Sequence, residues 1–314
     1  MKPNHLTSAE LFSGCGGLAL GMSRAGFHHV LMAEFDRDSV ATAKHNVDRA
    51  VAHVRDWPVE RMDVRDIEWE PLRGQLTVVS GGPPCQPFGI GGKKLGPADT
   101  RDMWPEAIRA IREAQPEGFL FESVRNIAGP RFRSYLDWIV EHLARPKAKP
   151  LADESFHQHF YRLKRSNEIR DYQVIWQLVN AADYGAPQIR HRVLIFGVRS
   201  ASGRLPQLMS PTHSRDRLLW DQYVTGGYWT RHGLPKRSAP ANRVDQNRVA
   251  KLRAYNVMPD GLPWVTVRDQ LAGLGEPNGH NNHIHQPGAK VYPGHTGSPL
   301  DLPAKALKAG DHGV

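Results

Sequence analysis

The sequence predicts an α/β protein, with a doubly wound, mostly parallel sheet over residues 1–200 and a smaller, irregular domain after it. Three observations carry that expectation. Short apolar runs alternate with segments of helical spacing through the first 200 residues. The first such run enters a glycine cluster, Ser13-Gly14-Cys15-Gly16-Gly17, ahead of a helical stretch. Beyond residue 200 the alternation stops, and stretches such as SAPANRVDQN and EPNGHNNHIHQPG, rich in Pro, Gly, Asn and His, take its place.

In chain order, SAELF (8–12) reads as a strand and LALGMSRAGF (18–27) as a helix. VLMAEFD (30–36) is the next strand, followed by a helix over 38–46 and a third strand ahead of Asp63. LTVVSGG (76–82) is a buried strand, and MWPEAIRAIREA (103–114) is a helix with apolar residues at helical spacing. GFLFESV (118–124) is a strand, and a helix covers 131–144. Residues 145–170 read as a long surface loop or insertion, and 173–185 with 192–200 as a hairpin-like pair closing the sheet. The irregular, basic segment spans 201–290, and 291–314 is a return segment.

A chain of 314 residues with 40% hydrophobic and 23% charged residues suits a globular protein with a well-buried core. No apolar run approaches the roughly 20 residues that span a bilayer, and the N-terminus lacks the apolar centre of a signal peptide. Two cysteines suggest free thiols in a reducing cytosol. The net charge of +9 points to a polyanionic partner, and residues 200–314 hold 14 Lys and Arg against 8 Asp and Glu.

Tight glycine turns at a strand–helix junction let backbone amides approach a nucleotide-like ligand. Glu34 ends the next strand 20 residues after Gly14, where a carboxylate can hold ribose hydroxyls. The GxGG spacing is not the GxGxxG of a dinucleotide site, which favours S-adenosylmethionine over NAD. Asp63 is a further adenine contact or an exposed turn residue, and Cys15 is a small residue packed in the turn.

Cys85 lies in SGGPPCQPFGIGG (80–92), at the carboxyl edge of an apolar strand. It is either an inert thiol or a nucleophile held by the Pro-Pro lead-in, and the glycine-rich loop favours the nucleophile. Glu122 ends GFLF and opens onto the same edge, as a catalytic carboxylate, a helix-terminal one or an ion-pair partner. Period-two alternation puts Gln188, Arg190 and Arg192 on one face of a strand, for an anion, an electron-rich carbonyl or a salt bridge.

Together these residues resemble the cytosine-5 DNA methyltransferases of bacterial restriction-modification or orphan type. AELFSGCGG is similar to the family's cofactor turn, AEFD to its ribose-binding block and MDV to its adenine-binding block. GGPPCQPF resembles the catalytic loop, FESV the block usually written ENV, QIRHR the QxRxR block, and SPLDLPAKALKAGDHG a later conserved block. The resemblance implies a Rossmann-like methyltransferase domain using S-adenosylmethionine, with a DNA-recognition domain over 201–290. Its cofactor residues would be Phe12, Ser13, Gly14, Gly16, Gly17, Glu34, Phe35, Asp63, Val64, Pro84 and Trp104. It implies that the Cys85 thiolate attacks carbon 6 of a flipped cytosine and that Glu122 holds and protonates ring nitrogen 3. Arg192, with Arg190 in support, would bind the base carbonyl or position the loop, and no metal is required. Gln86, Lys93, Ser123, Gln188 and Arg231 are the implied DNA contacts.

Two departures from the family stand out. Ser123 replaces the asparagine after the glutamate, which predicts weaker loop closure. No GNSV-like final block occurs in the 314 residues, so a truncated chain or a second polypeptide is expected. Duplex DNA, that polypeptide and a cognate restriction endonuclease are the expected partners, in the cytoplasm of a bacterial cell at its nucleoid. The rival readings are an RNA cytosine-5 methyltransferase, a non-catalytic DNA-binding paralogue or half of a split enzyme, and an NAD-dependent dehydrogenase.

Overall fold

The computed structural model describes residues 5–84, 102–279, 283–285, 287 and 298–306. Two compact units divide the chain: residues 1–178 with 192–208, and residues 179–191 with 209–314.

The first unit holds a seven-stranded sheet. It is built from β1 (Leu6–Leu11), α1 (Gly17–Arg24), β2 (Phe27–Glu34), α2 (Arg37–Asp48) and β3 (Val59–Arg61). It continues through β4 (Val78–Gly81), α3 (Trp104–Ala114), β5 (Gly118–Val124), α4 (Arg133–Ala144) and α5 (Phe156–Arg165). The last strands of the sheet are β6 (Tyr172–Asn180) and β8 (His191–Arg199), while β7 (Gln188–Ile189), between them in the chain, lies outside it. The sheet runs β3-β2-β1-β4-β5-β8-β6, parallel from β3 to β5, with β8 antiparallel to β5. Chain order reverses between β1 and β4, so the sheet is doubly wound and Rossmann-like, as expected. Ligands of such sheets bind beyond the carboxyl ends of the strands at that switch point. β6 and β8 are neighbours at the edge of the sheet, as the hairpin-like reading required.

Why these segments form these elements is local. β4 and β5 open on apolar runs, Val78-Val79 and Phe119-Leu120-Phe121, and are buried or half-buried throughout, as interior strands are. α3 buries Trp104, Ala107, Ile108, Ala110, Ile111 and Ala114 against the sheet. The Asp36 carboxylate accepts from Ser39 N–H at 2.7 Å and starts α2. Gly81 is required by close approach, because a Cβ there would lie 2.5 Å from the Leu11 carbonyl oxygen.

Residues 145–170 are not simply a loop, since α5 lies within them. Ser155 and Gln158 form a capping box, and His159 and Leu163 are buried. The Trp138 indole N–H donates to His159 Nδ1 at 3.1 Å, which fastens α5 to α4.

The second unit takes in β7, β9 (His213–Ser214), α6 (Arg215–Tyr223), α7 (Gly227–Arg231), α8 (Arg243–Tyr255), β10 (Leu262–Pro263), α9 (Val267–Leu271) and β11 (Ala304–Lys305). Four helices therefore replace the irregular segment expected over 201–290. Ala182, Leu218, Tyr228, Trp229 and Trp264 make its core. Residues 179–191 fold into this unit rather than with the rest of 1–200, because β7 pairs with β11 and the Trp264 indole donates to Asp183 at 2.8 Å. Among the described residues no helix is long and apolar enough to cross a membrane.

Candidate functional site

The carboxyl ends of β1 and β2 shape one half of the site. Phe12 and Gly14 have left-handed φ angles of 53° and 54°, and the chain then turns into α1 through Gly16. Gly16 sits at φ +87° with the Trp57 ring behind it, where a Cβ would come within 2.2 Å, so only glycine fits. Glu34 ties the two strand ends together: one carboxylate oxygen accepts from Gly14 N–H at 2.7 Å and the other from Asp36 N–H at 2.8 Å. Gly16 gives α1 no side-chain cap, which leaves the amides from Gly17 onward to a ligand. The Ser13 hydroxyl is buried at this turn and has no hydrogen-bond partner among the described residues. An orphaned hydroxyl beside an uncapped helix start fits a small ligand with an anionic end.

Other residues expected at the cofactor are placed differently. Phe35 is exposed just past β2. Asp63, beyond β3, accepts from Arg65 N–H at 3.0 Å and pairs with its guanidinium at 2.5 Å, which lowers the carboxyl below its ordinary pKa. Val64 is buried in the main core. Trp104 is fully enclosed in that core, edge-on to Phe121 at 5.9 Å, so it packs the sheet and presents no surface to a ligand. Pro84 is half-buried at the end of the segment leaving β4.

The other half of the site comes from β5 and β8. Glu122 opposes Leu194 and Val124 opposes Arg192 across the antiparallel pair. That diagonal lets the Arg192 guanidinium pair with the Glu122 carboxylate. The second carboxylate oxygen of Glu122 lies beside Gly82, 3.6 Å from where a Cβ there would sit. Gly82 leads through Pro83 and Pro84 into position 85. Ser123, next to Glu122, is fully buried.

Cys85, Gln86 and Lys93 lie outside the described residues. The shared face expected for Gln188, Arg190 and Arg192 is not formed, because the strand breaks at Arg190. Gln188 pairs with Ala304 in a separate two-stranded sheet, while Arg192 belongs to the seven-stranded one. The backbone of Arg190 bridges back to the end of β6, its N–H to Asn180 Oδ1 at 3.1 Å and its carbonyl to Ala181 N–H at 3.0 Å. In the second unit Arg231 pairs with Asp269 at 3.1 Å and stacks over Tyr228. Trp220, Tyr228 and Trp229, interleaved with the arginines in sequence, are core residues.

Some supporting residues were not anticipated from sequence. Trp57 backs the glycine turn and donates its indole N–H to Ser23 Oγ at 2.9 Å. Glu10, in β1, accepts from Ser80 Oγ at 2.9 Å. A charged residue between Ala9 and Leu11 in a strand was the available signal. Asp102 accepts from Trp104 N–H at 3.1 Å and from the Tyr135 hydroxyl, which fixes the start of α3. Nothing in the local sequence marks that contact.

Comparison with known proteins agrees with this geometry. The C-5 cytosine-specific DNA methylase family matches residues 6–146 and 149–226. The Type II methyltransferase M.NgoMIV of Neisseria gonorrhoeae is 35% identical over 194 residues, 62% of this chain and 52% of that protein. M.Eco47II of Escherichia coli is 39% identical over 238 residues, 72% of this chain and 54% of its own length. M.AquIA of Picosynechococcus sp. is 32% identical over 214 residues, covering 65% of this chain and 75% of that one. The chain thus spans about half the length of the first two. With the family matched across both strand ends of the site and well over half of the sequence, the chain belongs to the C-5 cytosine-specific DNA methylases.

Proposed function

We propose that the protein transfers a methyl group from S-adenosylmethionine to carbon 5 of a cytosine in a specific duplex DNA sequence. The observation that carries this reading is the Glu122–Arg192 pair at the end of the β5–β8 ladder, beside Gly82, which leads in sequence to Pro83-Pro84-Cys85. A carboxyl group there is positioned to hold and protonate a ring nitrogen, and a paired guanidinium to neutralise a carbonyl gaining charge. The Cys85 thiolate adds to carbon 6 of the extruded base, which makes carbon 5 nucleophilic, and it departs once the carbon 5 proton is lost. The bound cofactor supplies an electrophilic sulfonium methyl. Ser13, the amides opening α1 and Glu34 would hold its polar ends.

The first unit carries this chemistry, and the second, with Arg231 and Gln188, carries target recognition. Duplex DNA and a cognate restriction endonuclease are the proposed partners, at the nucleoid of a bacterial cytoplasm. The family match and its Type II methyltransferase relatives support DNA as the substrate.

Methyl transfer from labelled S-adenosylmethionine to random-sequence duplex DNA, mapped base by base, tests the proposal. Label is expected on carbon 5 of one cytosine in a fixed motif. Cys85→Ala should abolish transfer, and Glu122→Gln should slow it on the order of a hundredfold while leaving cofactor affinity intact. Transfer that survives Cys85→Ala, or that prefers RNA, would overturn it.

A further inference from the structure

The family match ends at residue 226, so α8, with sequence RVDQNRVAKLRAY, lies beyond the segment whose chemistry the family shares. Asn242 caps the helix, its side-chain oxygen accepting from Asp245 N–H at 2.9 Å. The inner face is small. Asp245 and Val249 are buried, and Leu252 is half-buried. Asp245 is the only acid in the helix, and Arg215 neutralises it at 2.8 Å.

At 100° per residue, the direction opposite that inner face is occupied by Arg243, Asn247, Ala250, Lys251 and Ala254, all exposed. The side chains of Arg243, Asn247 and Lys251, at spacings of four, make no hydrogen bond or ion pair among the described residues. The flanking cations are tied down instead, Arg248 to Asp216 at 2.6 Å and Arg253 to the carbonyls of Tyr223 and Ser238. The outward ridge is therefore cationic, free of carboxylates and interrupted only by alanines, which let a partner approach the backbone. Arg243 occupies the first helical position, where a cation opposes the helix dipole, so its charge does not serve helix stability.

A helix of 13 residues is about 20 Å long and fits a major groove about 12 Å wide. Arg and Asn side chains at its surface match the paired acceptors of guanine and the donor–acceptor edge of adenine. We propose that the exposed ridge of α8 enters the DNA major groove, that Arg243 and Asn247 read base edges there, and that Lys251 contacts phosphate. This rests on the reading of the chain as a DNA methyltransferase.

Selection of bound duplexes from a random-sequence library by the full chain, followed by sequencing, tests the assignment. The wild-type chain is compared with Arg243→Ala, Asn247→Ala and Lys251→Ala. Alanine is the best helix former and the sites are exposed, so α8 persists in each variant, which circular dichroism verifies. The wild type should enrich one motif. Asn247→Ala and Arg243→Ala should each flatten one position of it and weaken binding to the wild-type motif roughly 5- to 100-fold. Lys251→Ala should weaken all duplexes alike. Unchanged motifs and affinities in the Arg243 and Asn247 variants would overturn the role of α8 and leave DNA recognition standing. A wild type that binds duplexes with no motif would also overturn it. A wild type that binds no duplex would overturn both this and the proposed function.

Discussion

Among the buried titratable side chains of the first unit that the proposed reaction does not use, Glu10 and His142 are shifted in opposite directions. Glu10 is 1% exposed in β1, and burial pushes its carboxyl up to about 7, against the opposing pull of the Ser80 hydroxyl and the Ala19 backbone. His142 is 3% exposed in α4, and neither ring nitrogen has a hydrogen-bond partner among the described residues. Burial, with His159 beside it, pulls its imidazole down to about 3. The two act on stability in opposite pH ranges. For Glu10 the folded value is raised, so stability present below pH 4.5 is lost as pH rises towards 7, by about 3 kcal/mol. For His142 the folded value is lowered, so stability present above pH 6.5 is lost as pH falls towards 3, by at most about 5 kcal/mol. Urea unfolding across pH 4–8 should therefore show Glu10→Gln matching wild type at pH 4 and exceeding it at pH 8. His142→Phe should lose less stability than wild type below pH 6. Profiles parallel to wild type in both variants would refute the assignment.

At the scale of elements, α5 shows where sequence patterning was legible and where it was not. β5 was read at its observed bounds, Gly118–Val124, because a strand opening on the apolar run Phe119-Leu120-Phe121 between helices has few alternatives. α5 was missed because its inner stripe of Phe156, His159, Phe160 and Leu163 includes a histidine. That residue reads as polar until Trp138 and the Ala148 carbonyl, 2.8 Å from Nε2, satisfy its ring. The break at Arg190 was equally hidden, since it depends on Gln188 pairing with Ala304, far along the chain. Local signals for α5 were nonetheless present in Ser155 and Gln158, a capping box seen only in retrospect. Ser155→Ala should remove that cap and lower stability by about 1 kcal/mol, read as a lower urea midpoint at unchanged m-value. An unchanged midpoint would mean that the packing of His159 and Leu163 alone holds the helix.

For the whole molecule, the glycine turn, Glu34, Glu122 and Arg192 were legible because strand-to-loop junctions of a doubly wound sheet gather at one edge. What sequence could not reveal was which charges are already spoken for. A net charge of +9 suggests broad attraction to a polyanion. In the second unit, however, Arg215, Arg217, Arg231, Arg237, Arg248 and Arg268 are each paired with an aspartate. Such pairs neutralise the arginine field that a polyanion would meet. The cations left for phosphate among the described residues of that unit are chiefly Lys236, Arg243, Lys251 and Lys305, to which Lys290 and Lys308 outside those residues add two. Each phosphate contact contributes about −0.9 to the slope of log affinity against log salt. On the order of four to six contacts then gives a slope of roughly −4 to −5, and a loss of several hundredfold between 50 and 200 mM salt. Fluorescence anisotropy of a labelled duplex across that range measures it directly, and Lys251→Ala should reduce the slope by about one. A slope near −10 would mean that the arginine–aspartate pairs open on binding and that the full basic excess reaches the DNA. A slope near −1 would place recognition almost wholly in uncharged contacts.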